Sequence, residues 1–264
     1  MDSVVDISWP VLALFFSLLA VPLLISQHYQ LKIGKEALIS VSRMTLQLLM
    51  VGIYLQYLFQ LNSLVINTLW LVIMTLIGAS AIITKAKLPK RTLLVPVTMA
   101  LATALFPMLA VISLVVIQPQ PFYSTQYLIP LAGMLLGNSM SGNIVALQNF
   151  FTAIEERKNE YEAAISLGAS PSYATLPFVQ DAIRRSLAPT LATMSTTGLV
   201  TLPGMMTGQI LGGASPIVAI KYQIMIMVAI LVMMSVSVTL SLHLTIKRCI
   251  NKEGRVLVKT KSSH

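Results

Sequence analysis

Long runs without a charged side chain constrain this chain more than any other feature. The stretches 64–84, 93–117 and 127–150 hold no Asp, Glu, Lys or Arg, and each has roughly the 20 residues a helix needs to cross the hydrocarbon layer. Soluble domains are typically about 25% charged. Here only 10% of residues are charged and 56% are hydrophobic. Inside a bilayer every backbone polar group has to be paired within its own segment, so such runs are read as helices. The expected fold is an all-α integral membrane protein, a single transmembrane permease domain over 1–264.

Seven spans are expected, at about 9–27, 37–59, 64–84, 93–117, 127–150, 189–212 and 217–246. The first eight residues carry Asp2 and Asp6 and no cation, which is not the basic start of a cleaved signal peptide. The first span is therefore taken as a true helix, with Trp9 at the interface and the N-terminus outside. Pro96 and Pro107 are expected to bend the fourth span. The net charge of +9 matters less than its placement. Lys32, Lys35 and Arg43, with the cations of the 85–91 loop, of 151–188 and of the basic tail 247–264, fall on one side, and of the 18 Lys and Arg residues only Lys221 is left over. That asymmetry puts the C-terminus and the 151–188 loop in the cytoplasm. Lys221 reads as a headgroup-level residue with its ammonium in water, or as a fixed charge near an exit. The tail is polar and basic and suits anionic lipids. One cysteine, Cys249, rules out an internal disulfide and any cysteine-based metal cluster.

The charged interruption at 160–189 is organised as a helical hairpin. Gly168 has no side chain to oppose the left-handed conformation that closes a helix after Leu167. Ser170 caps the next helix and Pro171 takes its first position. Tyr173, Leu176, Val179, Ile183 and Leu187 recur at helical spacing, opposite Asp181, Arg184 and Arg185, giving one apolar stripe.

Two polar clusters interrupt the apolar spans. The fifth span places Gly133, Gly137 and Ser141 four apart, a spacing that lets helices approach closely, and it carries Asn138 and Asn143. An amide in hydrocarbon needs a partner, and such groups line a solute path or an interior contact. The sixth ends in Thr201-Leu202-Pro203-Gly204-Met205-Met206, where Pro203 and Gly204 are expected to break the helix, as happens at transport sites. Gly204, Gly208 and Gly212 form a second candidate packing face. Path-lining candidates are Asn138, Asn143, Thr197, Thr201, Pro203, Gly204, Met205 and Met206. Iron(II) favours carboxylate or imidazole, and the spans offer only His243. The methionines at 205, 206, 225, 227, 233 and 234 suit softer ions or simple packing. Amides and hydroxyls would suffice for a hydrated or chelated cation, and the metal is unassigned.

Glu162-Ala163-Ala164 followed by Gly168 resembles the cytoplasmic loop of ABC transporter permeases. Gly137-Asn138, Ser166-Leu167-Gly168-Ala169, the run 198–208 and the run 219–224 are similar to the FetB family of permeases, which also includes plant aluminium-tolerance membrane proteins. That resemblance implies an exporter of iron or a related metal, in which a homodimer of this chain works with a FetA-like ABC ATPase. It also implies that Glu162, Ala163, Ala164, Gly168 and Ala169 form the ATPase-coupling surface. The chain has no G-x-x-x-x-G-K-[ST] motif, so ATP and Mg would be used by the partner. No cofactor or nucleic acid is expected on this chain. A self-sufficient secondary transporter is the alternative, though it would usually carry intramembrane acids. A membrane enzyme would need H-E-x-x-H, G-x-S-x-G or an acidic pair within a span, and none occurs.

Overall fold

The computed structural model describes residues 6–251, 253–255 and 257. Asp2 and half of the 247–264 tail lie outside the described residues. Trp9–Phe15 (α1) and Ala20–His28 (α2) are joined by a 3₁₀ turn, Phe16–Leu19. Pro22 has no N–H to donate to Leu18, and the tightened turn falls at that point. Then follow Gly34–Leu61 (α3), Leu64–Lys85 (α4) and Lys90–Val111 (α5). Helix α5 runs through both Pro96 and Pro107 and widens into a π-helical turn, Ile112–Ile117. Thr125–Glu156 (α6) and Lys158–Ser166 (α7) lead to Pro171–Thr196 (α8), Gly204–Leu211 (α9) and Pro216–Cys249 (α10). Among the described residues the one bridge outside helices joins Thr197 and Thr201.

Among the described residues six segments are long and apolar enough to cross a membrane: Trp9–His28, Gly34–Leu61, Leu64–Lys85, Lys90–Ile117, Thr125–Glu156 and Pro216–Cys249. The segment expected at 189–212 is built differently. Pro189 does not begin a helix; it lies inside α8, which runs unbroken from the hairpin. A proline costs an interior helix one hydrogen bond and a local clash, and packing against neighbouring helices absorbs that cost. The break comes instead at 197–203, just before Gly204, where Gly198 takes φ +88°. Helix α6 likewise continues past Phe150 to Glu156.

Helix α10 is the axis of the bundle, packed against α5, α6, α8 and α9, with α4 filling the other side of α5 and α6. Leu101, Leu105, Leu135, Leu147, Phe150, Met233 and Met234 are its buried centre. The first three helices are largely exposed, with α3 meeting α4 and α6 only near its C-terminal end. Half of the most apolar window of α6 is buried, against 6% for Trp9–His28 and 0% for α3. Lipid covers such surfaces at no hydrophobic cost.

The two ends of the bundle are chemically distinct. At one end Asn62 ends α3 with φ +35°. Its Oδ1 accepts from the Thr125 amide at 3.1 Å. The Thr125 hydroxyl lies 3.1 Å from that oxygen and 3.0 Å from Asn67 Oδ1, while Asn67 Nδ2 donates to the Tyr123 carbonyl at 2.7 Å. This network ties α3, α4 and α6 together. At the other end Gln148 of α6 donates to the Lys85 carbonyl of α4 at 2.9 Å, and the cations of the α4–α5 loop, of α7 and of the end of α10 gather there.

Candidate functional site

The hairpin forms as its residues dictate. Gly168 sits at φ +90°; its N–H donates to Ile165 at 2.9 Å and that of Ala169 to Ala164 at 3.0 Å. These two bonds satisfy the orphan carbonyls of α7 in a Schellman closure. Ser170 Oγ accepts from the Tyr173 amide at 3.3 Å and Pro171 opens α8. Of the expected coupling residues, Glu162, Ala163 and Gly168 are exposed, while Ala164 and Ala169 pack inward. Lys158 pairs with Glu162 at 3.4 Å, and Arg157 pairs with Glu160 and lies 5.0 Å over the Phe178 ring. The hydrogen bond from Arg157 holds the Glu160 carboxyl below its ordinary range.

The apolar stripe of α8 is rotated from the sequence expectation. Ala174, Thr175, Phe178, Ala182 and Ser186 are buried, with Val179, Ile183 and Leu187 on the flank. Tyr173 and Leu176 face out instead, because α7 lies over the Phe178 side and small residues allow close contact there. With Leu167 at 89% and Tyr173 at 72% exposed, the hairpin presents large apolar groups beside charges, the mark of a contact surface.

A cleft of about 260 Å³ opens between α6, α8 and α10. Its polar lining is Asn138, Ser141, Ser186, Thr190 and Thr193, and its apolar lining includes Met227 and Met234. No lining side chain is charged. Asn138 donates to the Met134 carbonyl at 2.8 Å. The Thr190 hydroxyl lies 3.8 Å from Met234 Sδ. Behind the cleft Asn143 is fully buried; its Nδ2 reaches Ser237 Oγ at 2.9 Å and the Ser139 carbonyl at 2.8 Å. Asn143 is thus a bridge between α6 and α10.

The structure therefore separates the expected path residues. Asn138 lines the cleft and Asn143 holds two of its walls together. Thr197, Thr201, Pro203, Gly204, Met205 and Met206 belong to the break and to α9, with the Thr197 hydroxyl turned back onto Thr193 O at 2.7 Å. Glycine packing also falls elsewhere. Gly137, Gly204 and Gly208 have open space where a side chain would stand, whereas a Cβ at Gly142 would meet Met234 Sδ at 2.5 Å. Close approach of α6 and α10 depends on that position. Ser186, Thr190 and Thr193 were readable as a polar stripe at helical spacing, but taking Pro189 as a helix start split them between a loop and a span. Lys221 is exposed near the start of α10, and no group of three His, Cys, Asp or Glu gathers among the described residues.

A helical bundle of this kind, with a polar cleft between its inner helices and a charged hairpin outside them, defines a multi-pass membrane permease of the cell membrane. The chain belongs to UPF0014, described as an uncharacterised protein family, whose model matches residues 9–250. It is 39% identical over 219 residues to the Arabidopsis thaliana protein ALUMINUM SENSITIVE 3, covering 83% of this chain and 78% of that one. It is 32% identical over 247 residues to the probable iron export permease protein FetB of Escherichia coli, covering 94% of both. A Synechocystis membrane protein of UPF0014, slr1647, is 35% identical over 225 residues, 85% of this chain and 87% of that one. No solved structure is a significant match.

Proposed function

We propose that the chain is the permease subunit of an ABC exporter that moves iron or a related metal ion out of the cell, two copies working with two copies of a separate ATPase. In this reading the charged end is cytoplasmic and the N-terminus is outside, as the cation asymmetry requires. The observation that carries it is the continuity of α8. One helix, Pro171–Thr196, begins at the Gly168 closure and supplies Ser186, Pro189, Thr190 and Thr193 to the cleft wall. At 1.5 Å per residue the distance from Pro171 to Thr193 is about 33 Å. A helix of that length acts as a lever. ATPase closure against Glu162, Ala163, Gly168 and the exposed Leu167 and Tyr173 would tilt α8 and open the cleft outward.

The relative FetB is named a probable iron export permease, which supports the metal and the direction. A bare divalent cation in a low-dielectric, uncharged cleft would lose its hydration energy without recompense. The metal is accordingly read as crossing hydrated or chelated, held by the amide of Asn138 and the hydroxyls of Ser141, Thr190 and Thr193. ATP and Mg are used by the partner.

Purification of the tagged chain from its native membranes in mild detergent, with mass spectrometry of bound partners, tests this reading. A Walker-motif ATPase is expected with wild type and not with Gly168→Arg at equal abundance. Absence of any ATPase from the wild-type sample would overturn it in favour of a self-sufficient secondary transporter.

A further inference from the structure

The segment after α10 does not leave the molecule as a free tail. Asn251 N–H donates to the Arg255 carbonyl at 3.1 Å, Arg255 N–H returns to Asn251 Oδ1 at 2.7 Å, and Leu257 N–H reaches the Cys249 carbonyl at 2.7 Å. These bonds close a tight turn with Gly254 buried at φ +80°. The turn rests on α7. Tyr161, 3% exposed, donates its hydroxyl to the Gly254 carbonyl at 2.9 Å. The backbone of Gly254 lies so close to Ile165 that a Cβ there would stand 2.9 Å from Cδ1 and 3.0 Å from Cγ1. On its other side Tyr161 meets Phe178 of α8 edge-on, with ring centroids 6.4 Å apart. Helix α7 is otherwise packed on α6 and α8, so the turn gives it a further tie, to the helix at the axis of the bundle.

We propose that the turn closed by Asn251, Gly254 and Arg255 is a clasp that positions α7 against α10, with Tyr161 and Gly254 as its two positioning residues, so that movement of the hairpin reaches α10 as well as α8. The transmission part rests on the ABC reading above; the clasp itself does not. Burial of the Tyr161 ring raises its pKa, so the hydroxyl remains a donor throughout the neutral range. An interior hydrogen bond between residues 93 positions apart, seated on a glycine that tolerates neither a Cβ nor a negative φ, is costly to replace by chance contacts.

Hydrogen–deuterium exchange on the full chain in detergent, with and without a bound ATPase, tests both parts. Tyr161→Phe keeps the ring on Phe178 and deletes one bond; Gly254→Ala reaches the same link from the other side. In the free chain, exchange in Lys158–Ser166 is expected to rise about fivefold in both variants at unchanged abundance, as for loss of one net hydrogen bond. Unchanged exchange there overturns the clasp, whether or not an ATPase is captured. In the ATPase complex, a non-hydrolysable ATP analogue is expected to alter exchange in α8 and α10 of wild type, and in α8 alone of the variants. An α10 response that survives in both variants overturns the transmission role. Capture of no ATPase would fail the ABC reading and, with it, transmission, while the α7 result would still decide the clasp.

Discussion

The two ends of this bundle are held by opposite means. At the uncharged end three helices share Asn62, Asn67 and Thr125, a network whose members bond side chain to side chain and side chain to backbone at 2.7–3.1 Å. Asn67 and Thr125 are each 1% exposed. At the charged end the ion pairs, Arg157 with Glu160, Lys158 with Glu162 and Arg185 with Asp181, are exposed, join residues only three or four apart and are individually weak in water. Between elements this end has the exposed Gln148 amide on the Lys85 carbonyl and the buried Tyr161 hydroxyl on the Gly254 carbonyl. A bundle built this way is pinned at one end and adjustable at the other. On the proposed reading, in which α8 tilts, the pinned end would be the pivot and the charged end the place where force enters.

The sharpest way to break that contrast is at the pivot. Asn67→Ala leaves the Tyr123 carbonyl without its partner and the Thr125 hydroxyl with Asn62 alone, and is expected to cost about 2–3 kcal/mol, the largest effect foreseen. It is read as a lowered unfolding temperature in detergent and reduced membrane abundance. A loss below 1 kcal/mol would show that this end is not pinned.

Midway, Gly142→Ala drives a methyl group onto Met234, which also lines the cleft. It is expected to destabilise the α6–α10 contact by about 1–3 kcal/mol. Adding Met234→Ala should recover part of that loss, since the two changes share one space; purely additive losses would contradict the packing described.

The smallest effect is expected at Glu160. Its carboxyl pKa is lowered by the hydrogen bond from Arg157, so its contribution is complete above the unfolded carboxylate value and is lost only as pH falls through the lower folded one. Glu160→Gln should therefore leave the unfolding temperature almost unchanged from pH 7 to about pH 5 and flatten its decline below that. A large change at neutral pH would mean that the charged end is held more tightly than its exposure implies.

Much of the molecule was readable along the chain because it is specified within a few residues. Length and hydropathy mark the spans. Gly168, Ser170 and Pro171 spell a helix stop and start whose hydrogen bonds all fall within five residues. Pro203-Gly204 announces the break that the structure places at 197–203. The resemblance of short runs such as 198–208 to the FetB permeases also survives in a match that covers nearly the whole chain.

Other features depend on what lies opposite, and no local pattern carries that information. Val179, Ile183 and Leu187 share the apolar side of α8 with Ala182, but the neighbouring helices turn Ala174, Phe178 and Ala182 inward and leave Tyr173 and Leu176 outside. Pro189 looks like a helix start in the chain; inside α8 it stands exposed at the cleft and is only a missing hydrogen bond. Gly137 and Gly142 are both small, yet only Gly142 faces a thioether within contact distance. The pairing of Tyr161 with Gly254 spans 93 positions, so nothing at either residue announces the other. Helix ends and apolar lengths are set by backbone bonding over one or two turns, which the local sequence contains. The buried face of α8, the cleft it helps to line and the clasp on α7 are set by shape and polarity matched across helices, which exist only after the chain has folded.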